Sequence, residues 1–101
     1  MNEPKHFVYK VILPRPTFDV DATEEENEIM GRHAVYWQGL MAQGNVLIFG
    51  PVAASSGAWG LGVVTAEQER ELHDIAAADP AITSGLCTYE VGIMPRALVP
   101  D

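Results

Sequence analysis

The chain has 101 residues, the usual size of one domain, and a net charge of −8 from 14 acidic and 6 basic residues. This charge argues against nucleic acid and anionic membranes as partners, because both attract clustered lysine and arginine. A single cysteine excludes a disulfide within the chain, and there is neither a signal-peptide pattern nor an apolar run near the ~20 residues of a membrane span. We expect one cytoplasmic domain over residues 1–101, with its core in about residues 6–96 and a tail at 97–101.

The first part of the chain predicts a strand, a loop and a long helix. Residues 6–13 are apolar or β-favouring and end at a proline, and residues 15–22 read as a loop rich in turn formers. Thr23 opens a helix with a capping box, in which its hydroxyl and the glutamate three residues later bond each other's backbone amides. The helix should run to about Gln43, where Gly44 supplies the C-terminal turn.

The apolar side of this helix is broad and contains one histidine. At ~100° per residue, its members fall in one arc of roughly 160°, which is typical of a helix that lies on a sheet. They are Ile29, Met30, His33, Tyr36, Trp37, Leu40 and Met41.

Two strands and a turn follow. Residues 45–52 predict a second strand closed by Gly50-Pro51, and residues 59–64 a third strand after a turn of small residues. The alternate glycines Gly60 and Gly62 leave one face of that strand flat, which makes room for a ring or a close helix.

A second helix and a last strand complete the chain. Thr65 begins a second capping-box pattern, and the helix after it should end near Asp79, where Pro80 stops it. Residues 86–94 predict the fourth strand, with Cys87 inside it as an inert core thiol.

The order βαββαβ predicts an α+β, ferredoxin-like domain with a four-stranded antiparallel sheet and both helices on one face. The other face cannot be left bare in water, because apolar residues are available for both faces. Those available for one face include Val8, Ile12, Leu47, Phe49 and Met94. We therefore expect a two-fold homodimer in which two sheets pair, as a closed or nearly closed α/β barrel.

His33 is the most informative single residue, because it lies near the centre of the apolar arc. One interpretation is a core histidine whose nitrogens bond a backbone carbonyl or Tyr36. The other is a general acid or base, the commonest catalytic role of histidine.

Asp79 is the second candidate. Its direction on the helix falls between Leu72 and Ile75, toward the sheet, and a carboxylate at a helix C-terminus is unfavourable against the dipole. Either it caps the turn that follows, or it lies beside His33 and orients the ring.

Five further residues are candidates for binding a small molecule. Tyr36 and Trp37 accompany the histidine on the helix, the backbone at Gly50 and Pro51 can pass close to a ligand, and Trp59 is a possible pocket wall. A plain strand end for Gly-Pro and a core or dimer contact for Trp59 are the alternatives. No metal-ligand spacing and no phosphate-cradling loop is visible, so we expect neither a metal nor a cofactor.

Several stretches together resemble the YCII-related (YciI-like) family over about residues 7–96. They are Met30–Trp37 with Leu40, Gly44 and Gly50–Val52, then Gly57–Val63, then Ala78–Ala81 with Gly85, and a last strand ending at Met94–Arg96. The resemblance implies a ferredoxin-like dimeric α/β barrel. It also implies an active site on a histidine and an aspartate, which correspond here to His33 and Asp79.

The resemblance is less informative about the reaction. One branch is similar to enzymes of chlorinated-hydroquinone breakdown, and the fold hosts lactone isomerases and cofactor-free monooxygenases, but fold kinship does not transfer those reactions. Many relatives carry an acid shortly after Gly-Pro-Val, where this chain has Ala53 and Ala54.

Two hypotheses follow. The first is a small cofactor-independent enzyme of isomerase, lyase or dehydrochlorinase type. In it, His33 and Asp79 perform acid–base chemistry on a small cyclic or aromatic oxygenated substrate. The second is a non-catalytic ligand-binding or accessory dimer module, in which the pair only fixes a buried polar network.

Overall fold

A computed structural model describes residues 4–100, which form one four-stranded antiparallel sheet and four helices. The elements are β1 (Lys5–Ile12), α1 (Phe18–Asp21), α2 (Glu24–Ala42), β2 (Val46–Ala54), β3 (Gly57–Ala66), α3 (Arg70–Ala77), α4 (Pro80–Thr83) and β4 (Thr88–Met94). The strand order is β2-β3-β1-β4. The predicted α+β class and antiparallel sheet are confirmed, and the arrangement is ferredoxin-like. None of the helices within residues 4–100 is both long and apolar enough to cross a membrane.

The core lies between the helices and one face of the sheet. Alternation along the central strand β1 buries Phe7, Tyr9 and Val11 on this face. Trp37 from α2 and Leu72 from α3 are fully buried against them. Each such side chain contributes about 1.5–3 kcal/mol by leaving water, which holds both helices on the sheet.

The capping box of α2 is confirmed. The Thr23 hydroxyl accepts from the Glu26 amide at 3.1 Å, and the Glu26 carboxylate accepts from the Thr23 amide at 2.9 Å. Arg15 donates to both oxygens of the same carboxylate, at 2.7 and 2.9 Å. The hydrogen bonds from Arg15 and from the Thr23 amide lower the pKa of Glu26 to about 2.

The loop predicted at residues 15–22 contains a short helix, α1, which the local pattern did not indicate. Two tertiary contacts hold it. Phe18 is buried at 5% exposure, and Arg15 donates to the Asp21 carboxylate at 2.8 Å and to its backbone carbonyl at 3.1 Å. A four-residue helix is too short to be stable by itself, so these contacts decide its conformation.

The second strand does not close at Gly50-Pro51, as the sequence predicted, but continues to Ala54. Proline lacks the amide needed for a strand with two neighbours, but β2 lies at the edge of the sheet and has only β3 beside it. Pro51 therefore pairs with Gly60 inside the ladder.

The second capping-box prediction is wrong. Thr65 belongs to β3, where it pairs with His6, and helix α3 starts only at Arg70. The carboxylate of Glu71 accepts from the amides of Glu67 and Gln68 instead, at 2.8 and 2.9 Å. Thr65 is paired in the sheet and is therefore not available as the helix cap that the local pattern predicted.

The end of the second helix also differs from the prediction. Helix α3 ends at Ala77, and Asp79 is the N-cap of the following short helix, with Pro80 at its first position. A capping carboxylate followed by proline is a favoured helix start, because the carboxylate accepts from an amide of the first turn and proline has no amide hydrogen that needs a partner. Cys87, predicted within the last strand, lies just before it and is buried.

The sequence predicted Phe49 on the same face of the sheet as Val8, but the register places Phe49 on the face that carries the helices and Val8 on the opposite face. An irregularity in the pairing of β2 between Val46 and Ile48 shifts the alternation by one residue. Ile48 therefore takes the position on the face of Val8 that was expected for Phe49. The outward side, here called the open face, includes Val8, Lys10, Ile12, Ile48, Trp59, Leu61, Val63, Glu90 and Met94.

The room predicted beside the alternate glycines is present. A Cβ at Gly62 would lie 3.3 Å from the Phe49 ring and 3.4 Å from the Trp37 ring, and one at Gly60 would lie 3.0 Å from the Cβ of Val11. The flat strand lets α2 approach closely enough to place its aromatic residues on the sheet.

Candidate functional site

The carboxylate of Asp79 is fully buried and accepts four hydrogen bonds. Its Oδ1 accepts from the Ala81 amide at 3.0 Å and lies 2.7 Å from Nδ1 of His33. Its Oδ2 accepts from the Trp37 indole at 3.0 Å and from the Tyr9 hydroxyl at 3.1 Å. Both interpretations of Asp79 from sequence therefore describe the same side chain, which caps a helix and contacts His33.

Three elements bring these groups together. His33 and Trp37 are four residues apart on α2 and so share one side of the helix. Tyr9 comes from the central strand, where its buried position requires a partner for the hydroxyl. Asp79 precedes α4, so the end of one helix and the start of another fix its backbone.

Asp79 is an anion in this setting. Burial by itself raises the pKa of the carboxyl group. The hydrogen bonds from His33 and Trp37, the charge of His33 and the Ala81 amide outweigh burial and lower the pKa below 3.8. Burial and the adjacent carboxylate raise the pKa of Tyr9, which keeps its phenol a donor. Because an ionised carboxylate only accepts, Nδ1 of His33 carries the hydrogen between the two residues.

The lowered pKa of Asp79 has a consequence for stability in acid. The unfolded chain binds a proton near pH 3.8 while the folded chain does not, so the contribution of Asp79 is present above this pH. It is lost as the pH falls through the pKa of the folded state. We therefore expect the free energy of unfolding, measured with urea, to fall as the pH drops below 3.8. A ¹³C carboxyl resonance of Asp79 that titrates at or above this value would contradict the assignment.

The second ring nitrogen of His33 faces a cavity. Nε2 has no hydrogen-bond partner within residues 4–100, yet this part of the chain contains no sealed side-chain nitrogen or oxygen that lacks a partner. His33 is 5% exposed and lines a cavity of about 300 Å³. We infer that Nε2 is exposed to this cavity, while Nδ1 on the other side of the ring is hydrogen-bonded to Asp79.

The cavity lies between α1, α2 and the strands β2 and β3. Besides His33, its lining residues are Val11, Leu13, Phe18, Asp19, Asn27, Met30, Ala34, Phe49, Gly50, Pro51, Ala58, Trp59 and Gly60. Most are apolar, as is usual for a small-molecule site, and the few polar groups set orientation. Within residues 4–100 no three side chains of metal-binding type lie together.

Of the five residues assigned to ligand binding from sequence, Gly50, Pro51 and Trp59 line the cavity. Tyr36 and Trp37 are not among its lining residues. Tyr36 donates its hydroxyl to the Ile75 carbonyl at 2.7 Å. Trp37 stands behind the cavity wall, stacked on Phe49 with ring centres 4.5 Å apart.

Sequence reasoning missed Tyr9, Asp19 and Asn27. A tyrosine in the buried alternation of a predicted strand is a usable signal, because its hydroxyl must find a partner. Asp19 and Asn27 gave no such signal, since both are exposed and polar and only the position of α1 brings them to the cavity. The two alanines after Gly-Pro-Val, Ala53 and Ala54, are exposed and do not line it.

The model of the YCII-related domain matches residues 10–94 of the chain. The matched range contains His33, Asp79 and every residue that lines the cavity. No curated protein matches the sequence.

Proposed function

The chain belongs to the YCII-related family, and on this basis we propose that it is a small cofactor-independent enzyme. In this proposal His33 and Asp79 perform acid–base chemistry on a small cyclic or aromatic molecule that carries oxygen. The observation that carries it is a histidine that lines a cavity and has its Nδ1 2.7 Å from a buried carboxylate. This is the usual arrangement of a general base and the group that orients it.

The arrangement defines a direction for proton transfer. Because Asp79 accepts the hydrogen on Nδ1, the lone pair of His33 is on Nε2 and points into the cavity. Nε2 can take a proton from a carbon next to a carbonyl. The electron pair of the broken C–H bond then forms a C=C bond, and the π pair of the carbonyl moves onto its oxygen. The proton returns to another atom in an isomerisation. In an elimination, a leaving group departs instead. Asp79 stabilises the imidazolium between these steps.

Proton abstraction from carbon can be tested before the substrate is identified. Lactones and hydroxylated aromatics that raise the melting temperature of the protein are incubated with it in D₂O, and ¹H NMR follows their carbon-bound hydrogens. A general base exchanges the abstracted hydrogen for deuterium. Ligands that bind at His33 but keep all their hydrogens and are not converted would reject the enzyme proposal.

A second candidate is a ligand-binding or accessory module without turnover. The family resemblance favours it, because it implies an acid shortly after Gly-Pro-Val, where this chain has Ala53 and Ala54, although neither residue lines the cavity. In this case the hydrogen bonds to Asp79 serve only to satisfy buried groups. Binding without exchange in the same experiment is its expected result.

We further propose that a second copy of the chain covers the open face. Ile48 is 56% exposed there, beside the half-buried Val8 and Val63, and a sheet face of this kind is normally covered. Lys10 lies opposite Glu90 in the register, so each copy offers both a cation and an anion. A two-fold axis allows each charge to meet its opposite in the partner.

The wild-type protein is expected to have the mass of a dimer by sedimentation at micromolar concentration. Val63→Glu puts a charge at the centre of the open face and should give a monomer that keeps its far-UV circular dichroism. Leu98→Glu is the matched control, because Leu98 is 97% exposed in the tail. A monomeric wild type would contradict the proposal.

A further inference from the structure

The residues that line the cavity differ in their exposure to water. His33 is nearly buried, whereas Asp19 on α1 and Asn27 on α2 are exposed, and the part of the cavity that these two residues line is here called the mouth. Asn27 and His33 are six residues apart on one helix, which separates them by about 9 Å along its axis. The other lining residues are mostly apolar, so a bound molecule meets the polar side chains of His33, Asp19 and Asn27 on an otherwise apolar wall.

The charge at the mouth is negative, and no lysine or arginine among the lining residues balances it. Asp19 is the only Asp, Glu, Lys or Arg among the lining residues, and its carboxylate forms no ion pair within residues 4–100. The neighbouring cation, Arg15, is already bonded to Asp21 and Glu26. A ligand that enters therefore meets an uncompensated carboxylate.

The start of α2 strengthens this field. Its first turn carries Glu24 and Glu25, which form no ion pair within residues 4–100, whereas Glu26 is paired with Arg15. These two charges exceed the roughly half unit of positive charge at the helix N-terminus. The chain as a whole has a net charge of −8, so it supplies no positive background. Such a field repels anions over a Debye length of ~10 Å at ordinary ionic strength.

We propose that Asp19 selects the ligand by charge. The cavity takes neutral or cationic ring compounds that present a hydrogen-bond donor at the mouth, and it rejects carboxylates and phosphates of the same shape. This inference rests on the proposed function, because it assigns a ligand class to the same cavity. Asp19 acts on ligand binding and takes no part in the proton transfer at His33.

Three probes of similar shape and different charge test the proposal: benzyl alcohol, benzylamine and benzoate. Their affinities are measured by NMR titration, with the ring signals of His33 and Phe49 as reporters of the cavity. In low salt we expect benzoate to bind the wild type about tenfold more weakly than benzyl alcohol. Near ~1 M salt, where the Debye length is ~3 Å, the difference should shrink.

Asp19→Asn removes the charge and keeps the shape. It should bring benzoate and benzyl alcohol about twofold to fivefold closer in affinity, the size expected for the interaction of an exposed charge. Asp74→Asn is the matched control, because it makes the same change in net charge on the exposed side of α3, outside the lining of this cavity. It should leave the ratio unchanged.

The proposal is overturned if benzoate binds as well as benzyl alcohol, if Asp19→Asn leaves their ratio as in the wild type, or if none of the three probes shifts the reporters at millimolar concentration. These readouts are independent of turnover. A protein that selects probes by charge but exchanges no hydrogens with any ligand disproves the enzyme proposal and leaves the role of Asp19 intact. A protein that exchanges hydrogens but does not select probes by charge supports the enzyme proposal and disproves the role of Asp19.

Discussion

Asp79→Ala is expected to destabilise the protein by about 3–5 kcal/mol, because it removes the one buried acceptor that four donors share. The change leaves four donors without their acceptor, namely the His33 ring, the Trp37 indole, the Tyr9 hydroxyl and the Ala81 amide. Each buried donor without a partner costs about 1–3 kcal/mol, which water entry partly relieves. Domains of this size have about 5–15 kcal/mol in total, so much of the stability depends on one carboxylate. Urea denaturation at neutral pH measures the effect.

Asp74→Ala is the control for this experiment. Asp74 is exposed on α3 and forms no ion pair within the described chain, so its replacement should change stability by less than about 0.5 kcal/mol. Asp79→Asn is a second variant that keeps the shape of the side chain. Its amide nitrogen replaces one accepting oxygen with a donor that faces the donors of the neighbouring residues. If Asp79→Ala lowers the free energy of unfolding by less than about 1 kcal/mol, the four hydrogen bonds contribute less to stability than their burial indicates.

His33→Gln is expected to slow hydrogen exchange in any ligand that the wild type deuterates, by about 10²–10⁴-fold, the usual contribution of a general base. Glutamine can still donate to the Asp79 carboxylate, so the fold should persist, but its amide cannot take up a proton at neutral pH. The exchange rate is followed by ¹H NMR in D₂O at saturating ligand, so that a change in affinity does not enter the comparison.

His73→Gln supplies the matched control. His73 is also a histidine beside a carboxylate, with Nε2 at 3.1 Å from Glu69, and its Nδ1 lies 2.7 Å from the Tyr89 hydroxyl. It is exposed on α3 and does not line the cavity. Exchange should therefore be unchanged in this variant. Equal rates in His33→Gln and the wild type would remove His33 from the chemistry.

Patterns that depend on near neighbours were predicted well. The capping box at Thr23 and the apolar arc after it gave α2 almost to its ends, since a cap and a helical stripe are settled within a few residues. The run of β-favouring residues that ends at Pro14 predicted the central strand β1 for the same reason. The order of these elements then indicated the α+β class and the antiparallel sheet.

Patterns that compete with sheet pairing were predicted poorly. The threonine of the second capping box, Thr65, pairs with His6 in β3, and Pro51 sits inside β2 because that strand happens to lie at the edge. Neither outcome can be deduced from adjacent residues, because each depends on which strand becomes the neighbour. The dimer remains a prediction from the apolar character of the open face.

By itself, the sequence determined which residues were unusual: a histidine inside an apolar arc and a carboxylate directed at the sheet. Only the tertiary structure decided that His33 and Asp79 meet across 46 positions, that Tyr9 reaches the same carboxylate across 70, and that α1 brings Asp19 to the cavity. The physical reason is that helix caps and stripes are satisfied locally. A buried carboxylate has to find its donors on separate elements, and these come together only when the helices pack on the sheet.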